Sequence, residues 1–150
     1  MNRIELSLNV IIECDSETET IAAATKLADA CESGLIVTLD GPLGAGKTRF
    51  VRAFAVAVGV NENDVSSPTY VIMQHYQGRE QLHHLDLYRL ADADEFDELG
   101  LDELFESQGI CLIEWANRFP EMLPADRLSI EIQVTGATSR YLIVSSHGPN

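Results

Sequence analysis

The chain is short of positive charge: ten Lys and Arg stand against 24 Asp and Glu in 150 residues, a formal net charge of -14. Such a surface repels a phosphate backbone, so the chain is not expected to grip nucleic acid itself. An acidic subunit acting on a more basic partner fits the charge better. Cysteine is scarce too. Cys14, Cys31 and Cys111 are odd in number, widely spaced and without a CxxC pair, which suggests neither a disulfide framework nor a zinc site. Buried free thiols are expected. No apolar run approaches the ~20 residues of a membrane span. Met1-Asn2-Arg3 leads into a short alternating segment rather than a signal-peptide core, so the expectation is a cytoplasmic protein with no membrane partner. Internal repeats and low-complexity segments are also missing, and 150 residues with 45 % hydrophobic content suit one core and one domain, residues 1–150.

What is present is a phosphate-loop pattern. The apolar run Leu35-Ile36-Val37-Thr38-Leu39 precedes Gly41-Pro42-Leu43-Gly44-Ala45-Gly46-Lys47-Thr48, and Arg49-Phe50-Val51-Arg52-Ala53-Phe54-Ala55 follows. The order reads strand, glycine-rich loop, helix, the context in which GxxxxGK[ST] cradles an anion on free helix N–H groups. Gly41, Gly44 and Gly46 let the amides turn inward, Lys47 can reach the outer phosphates, and the Thr48 hydroxyl can bind magnesium. Lys47, Arg49 and Arg52 are also the one clustering of the sparse basic residues.

The remaining pattern predicts an α/β domain with a phosphate-loop core and an antiparallel part, a three-layer fold on a mixed sheet. Ile4 to Ile12 reads as a strand. Ser16 with Glu19 is a capping box for a helix that Gly34 stops. The helix from Lys47 to about Val58 carries Phe50, Val51, Phe54, Val56 and Val58 and is expected to be largely buried. Val71 to Tyr76 and Gln81 to Leu87, separated by Gln77-Gly78-Arg79-Glu80, read as a hairpin. Gly100 divides the carboxylate-rich stretch Asp92 to Glu106 into two short amphipathic helices with a solvated acidic face. Ile110 to Ile113 is a buried strand, and a terminal hairpin starts at Arg127.

Phosphoryl transfer asks a protein to position the triphosphate, hold a metal and orient the attacking group. Acids at the carboxyl ends of apolar strands share the sheet edge where a phosphate loop sits. Asp86 and Glu114 qualify, and spacing alone does not say which touches the metal and which orients water. Ser67-Pro68-Thr69 lies in the loop where such proteins place a segment ordered by the γ-phosphate, although a plain Ser-Pro turn fits the residues equally. His75, His83 and His84 lack a third ligand at metal spacing and read as structural or surface groups. Trp115 reads as a core aromatic or a mobile flap over the nucleotide.

Gly41 to Thr48, Ser67-Pro68-Thr69-Tyr70, His84-Leu85-Asp86-Leu87-Tyr88-Arg89-Leu90 and Ile113-Glu114-Trp115 together resemble the signature blocks of the TsaE (YjeE) family, the ATPases of bacterial tRNA threonylcarbamoyladenosine biosynthesis. The likeness runs from the Ser16 helix to about Arg118. Arg49 stands where the family often has a second Thr, and residues beyond Pro120 carry no motif. The resemblance implies a subunit dependent on ATP and Mg2+ that works with a TsaD-TsaB complex, which transfers a threonylcarbamoyl group to adenosine 37 of tRNAs reading ANN codons. The subunit itself would not make that transfer and would meet tRNA only indirectly. It further implies a nucleotide site of Gly41, Gly44, Ala45, Gly46, Lys47, Thr48 and Arg49. Thr48 and Glu114 would hold the magnesium, Asp86 would support hydrolysis, Ser67 to Thr69 would act as a switch, and Trp115 would move with nucleotide state. A small-molecule kinase and a nucleotide-binding module that barely hydrolyses are the competing readings. The kinase is weakened because only isolated Arg79, Arg89 and Arg118 could form a lid, and a GTPase would need an NKxD motif that the chain lacks.

Overall fold

The computed structural model describes residues 9–65 and 73–147. Ile4, Leu6 and Leu8 of the first expected strand, and the whole Ser67-Pro68-Thr69 segment, lie outside them. In chain order the elements are β1 (Asn9–Cys14), α1 (Glu17–Asp29), β2 (Ile36–Asp40), α2 (Lys47–Ala57), β3 (Met73–Gln77), β4 (Gln81–Asp86), α3 (Ala93–Glu98), α4 (Leu101–Phe105), β5 (Ile110–Glu114), β6 (Arg127–Val134) and β7 (Arg140–His147). The seven strands form one mixed sheet in the order β1-β7-β6-β2-β5-β4-β3. Four of them, β6, β2, β5 and β4, run parallel to their neighbours at the centre, with β7 and β1 antiparallel on one flank and β3 on the other.

Burial follows position in the sheet. Every residue of β5 is buried, and β2 is buried from Ile36 to Leu39, because helices cover both faces of these central parallel strands. Edge strand β1 exposes Val10 and Ile11. On one face α1 and α2 pack together over Val37, Leu39, Leu82, Leu112, Ile130 and Leu142, with Phe50 and Phe54 at the centre. The opposite face, formed by Ile36, Leu85, Cys111 and Ile113, is covered by Phe96, Leu101 and Phe119. The result is the α/β three-layer arrangement read from the sequence.

The Ser16 cap holds, its side chain accepting from the Glu19 amide while Glu19 accepts from Asp15 N at 3.0 Å. The helix ends at Asp29 with Ala30 as its cap, earlier than Gly34 suggested. Gly34 instead forms the turn into β2 and donates to Gly109 O at 2.7 Å. In α2, Val56 is 43 % exposed, because the helix lies on the sheet and its outer stripe meets solvent even where it is apolar. Gly100 separates α3 from α4, as expected. All three cysteines are buried and unpaired, and burial pushes the thiols of Cys31 and Cys111 up to about 11 and about 12.

Phe54 is fully buried and stacked with Phe50 at 6.3 Å between centroids. Truncating it to alanine should cost about 3–5 kcal/mol in urea unfolding, whereas Val56→Ala, on the exposed stripe of the same helix, should stay within about 0.5 kcal/mol.

Candidate functional site

The phosphate loop leaves the carboxyl end of β2, which lies between β5 and β6. In an open α/β sheet this strand edge is the crevice where ligands bind. Gly46 caps α2 at φ 100° with no side-chain cap, and the helix has no acidic residue in its first turn. Its leading amides therefore keep the anion-seeking character of an uncapped N-terminus. Gly44 and Gly46 both have positive φ and open space where a Cβ would stand, so backbone amides, not side chains, line the cradle. Thr48 is exposed in the first turn, and Ala45 is buried beneath the loop.

Lys47 is 7 % exposed. Its ammonium donates to the carbonyls of Gly41 and Pro42, the latter at 3.0 Å, and lies 4.1 Å from the centre of the Trp115 ring. Burial lowers its pKa, against the opposing pull of the Glu114, Asp86 and Asp40 carboxylates.

Those carboxylates arrive by strand register. Asp86 on β4 stands opposite Glu114 on β5, and Glu114 is opposite Leu39 on β2. Side chains alternate along a strand, so His84, Asp86 and Glu114 share the face of Leu82 and Leu112, on which α2 lies. Glu114 is 5 % exposed and bonded through Oε2 to Nε2 of the buried His84 at 2.6 Å. Asp86 accepts from Tyr88 N at 3.0 Å. Its carboxyl is raised above the ordinary value, first by burial and further by the nearby Glu114 charge, with the Tyr88 hydrogen bond pulling the other way. Trp115 continues from Glu114 with φ 60°, the sole non-glycine residue at positive φ among those described, a conformation uncommon for a bulky side chain. Its ring also meets Tyr88 at 4.9 Å.

The donor chemistry suits a triphosphate with magnesium. Amides and a lysine would suit anionic oxygens, and the Thr48 hydroxyl with one or two carboxylates would suit a hard cation. Among the described residues no three His, Cys, Asp or Glu side chains gather to hold a metal alone, so an all-protein cage is not what this edge offers.

The clustered basic side chains of Lys47, Arg49 and Arg52 take different partners. Arg49 pairs with Glu17 of α1, both exposed, and Arg52 donates to Glu62 O and Val65 O at 3.3 and 3.2 Å. Arg49 does line a cavity beside Gly44 and Gly46, together with Glu17, Thr20, Thr138 and Arg140. Three residues of the region escaped the sequence reading. Arg140, at the start of β7, donates through Nε to Ala45 O at 2.8 Å and braces the loop from the far flank of the sheet; nothing local in the sequence signals this. Asp40 ends β2 on an acid, the same pattern that picked out Asp86 and Glu114. It accepts from Asn117 N at 3.2 Å, tying the turn after β5 to the phosphate-loop strand. His84, read as a structural or surface group, is bonded to a site carboxylate.

The family model described as threonylcarbamoyl adenosine biosynthesis protein TsaE matches residues 14–142. The chain belongs to the TsaE family. The tRNA threonylcarbamoyladenosine biosynthesis protein TsaE of Bacillus subtilis (strain 168) is 43 % identical over 131 residues, covering 87 % of this chain and 81 % of its own length. Its counterpart from Treponema pallidum (strain Nichols) is 35 % identical, over 87 % and 96 %. The crystal structure of Bacillus subtilis YdiB superposes with a TM-score of 0.78 at 34 % identity, over 95 % of this chain and 88 % of that one. The TsaE match spans every site element described above, from α1 to the start of β7. Among the described residues no helix is long and apolar enough to cross a membrane.

The raised Asp86 carboxyl has a consequence for stability. A carboxyl whose pKa is higher folded than unfolded takes up protons on folding, so its burial penalty is absent below the ordinary value of 3.8 and complete above the raised value. Asp86→Asn keeps an acceptor for the Tyr88 amide. It should raise the melting temperature at pH 7 by a few degrees, with the gain shrinking as pH falls toward 3.8; calorimetry across that range checks the sign.

Proposed function

We propose that this chain is the ATP-binding, Mg2+-dependent ATPase subunit of tRNA threonylcarbamoyladenosine synthesis, acting with a TsaD-TsaB complex that carries out the transfer to adenosine 37. The observation that carries the reading is the convergence of three strand ends: the uncapped loop-to-α2 turn after β2, with Asp86 and Glu114 beside it in register. The names of the relatives support the pathway, and the chemistry of the edge favours a nucleotide.

In this reading the Lys47 ammonium leaves the Gly41 and Pro42 carbonyls for phosphate oxygens, an exchange of one set of acceptors for another. The amides from Gly44 to Thr48 take the remaining oxygens, and Arg140 keeps the loop from opening. Magnesium, when bound, neutralises charge building on the phosphates, and the Thr48 hydroxyl and Glu114 are the groups that would hold it. Asp86, with its raised pKa, is suited to orient a water and take up its proton. The base and ribose would extend into the cavity between α1 and Arg140. Ser67 and Thr69 complete the proposed nucleotide contacts as the switch segment.

Hydrolysis by the isolated chain should be slow. Two of the lid candidates are engaged on backbone carbonyls, Arg79 on Ala28 O and Arg118 on Leu87 O, and Arg140 is engaged on the loop carbonyl of Ala45. A kinase lid is disfavoured for the same reason. The acidic helices α3 and α4 lie on the opposite face from the loop and offer a basic partner a surface that leaves the nucleotide accessible.

Phosphate release and tRNA threonylcarbamoylation should be measured with the chain alone, with TsaD-TsaB, and with TsaD-TsaB lacking the chain. Turnover should rise on adding partners, and modification should need the chain. Lys47→Ala should lose ATP binding, and Glu114→Gln should lower partner-stimulated turnover about 10²-fold or more. Phosphorylation of a small alcohol by the isolated chain at ~1–100 s⁻¹ would mark it as a kinase instead.

A further inference from the structure

Glu114 and Asp86 occupy directly opposed positions on adjacent strands and face the same way. Like charges so placed repel, and Glu114 is the more deeply buried of the two. A buried carboxylate with no donor is costly, and one held by a single strong donor is also fixed in direction. That donor is His84, itself 2 % exposed and two residues before Asp86 on the same face of β4. The contact of 2.6 Å joins Nε2 to Oε2. With Glu114 as the accepting carboxylate, Nε2 is the donor of this contact.

The arrangement is a diagonal across the parallel β4-β5 pair. His84 stands opposite Leu112, one side-chain repeat deeper in the sheet than Glu114. It therefore draws Oε2 back along the sheet, away from the strand ends. His84 engages Oε2 alone, so the second carboxylate oxygen stays outside this bond, on a residue that ends β5 opposite Leu39 of the phosphate-loop strand. β4 thus supplies both an acid at the edge, Asp86, and the support that aims the acid of its neighbour. The spacing His84-Leu85-Asp86 suits both, because residues i and i+2 of a strand point the same way.

We propose that His84 is a positioning residue that holds Glu114 with one oxygen turned to the phosphate-loop mouth, and so sets the affinity of the site for its divalent cation. The inference rests on the Mg2+ reading given under Proposed function. His84 does not touch the cation or the nucleotide; it acts through Glu114.

The test uses the full chain with ADP, Mn2+ as an EPR probe, and three variants. His84→Leu removes the donor at similar bulk, His84→Gln offers an amide N–H in its place, and Glu114→Gln removes the acid. His84→Leu should weaken Mn2+ binding to the ADP complex about 10–100-fold while leaving ADP affinity in EDTA unchanged, and His84→Gln should recover most of the loss. Wild-type Mn2+ affinity in His84→Leu, with Glu114→Gln impaired, overturns the positioning role and spares the metal reading. Wild-type affinity in Glu114→Gln removes the metal reading, and the role of His84 with it. A measurement on the unaltered chain covers the case in which His84→Leu fails to fold. The Nε2–H resonance of His84 in a 1H–15N spectrum of the ADP complex should shift with the midpoint of Mg2+ binding, and a resonance indifferent to Mg2+ contradicts the proposal.

Discussion

The Lys47 ammonium is a buried positive charge held by two loop carbonyls and an aromatic face, with three carboxylates acting on it from the ends of three different strands. Removing a charge from water is costly unless the surroundings replace the lost hydration, and here every surrounding group belongs to the phosphate loop or to a strand end. The loop must close over Lys47 to lend it carbonyls. It can do so only because Gly44 and Gly46 accept positive φ. The strands must end in register to bring Asp40, Asp86 and Glu114 near, which the parallel pairing of β2, β5 and β4 provides. The loop and the three strand ends are thus tied to the electrostatics of one side chain.

That constraint explains where stability is given up. Asp40 and Asp86 are both raised by burial and Lys47 is lowered by it, so each is less comfortable charged here than in water. Trp115 adds a strained backbone at the same edge. The two apolar layers, built on Phe50 and Phe54 on one face and on Phe96 and Phe119 on the other, offset these costs. Concentrating unfavourable terms in one small region is the usual mark of a site kept for binding or chemistry.

Periodicity and turn chemistry made most of the architecture legible. β5 is a short apolar run closed by an acid, the Ser16 box is a local hydrogen-bond pattern, and Gly100 is a backbone break; each is encoded by neighbours in sequence. The phosphate loop was readable for the same reason. What was not readable depends on register and distance. Arg140 braces a loop 95 positions away in the chain, and no local pattern announces such a contact. His84 reads from the sequence as a structural or surface group like His75 and His83, and only the pairing of β4 with β5 brings it to Glu114. The side chains of Lys47, Arg49 and Arg52, close in sequence, take different partners. Neighbours in sequence at the start of a helix diverge by about 100° per residue, so Arg49 turned to α1 and Arg52 to the loop at Glu62.

The family match joins these levels without replacing either. Membership in the TsaE family rests on likeness along residues 14–142, and likeness by itself assigns no role to any side chain. The register of β4 against β5 does something different: it limits which roles are available. Asp86 and Glu114 are directly opposed acids, and the Glu114 charge adds to the burial that raises the Asp86 carboxyl. His84 breaks the symmetry of the pair by bonding to Glu114, while Asp86 is bonded instead to the Tyr88 amide at the exit of its own strand. Two acids in opposed positions are thereby given different environments, one bonded to a buried histidine and the other to a backbone amide.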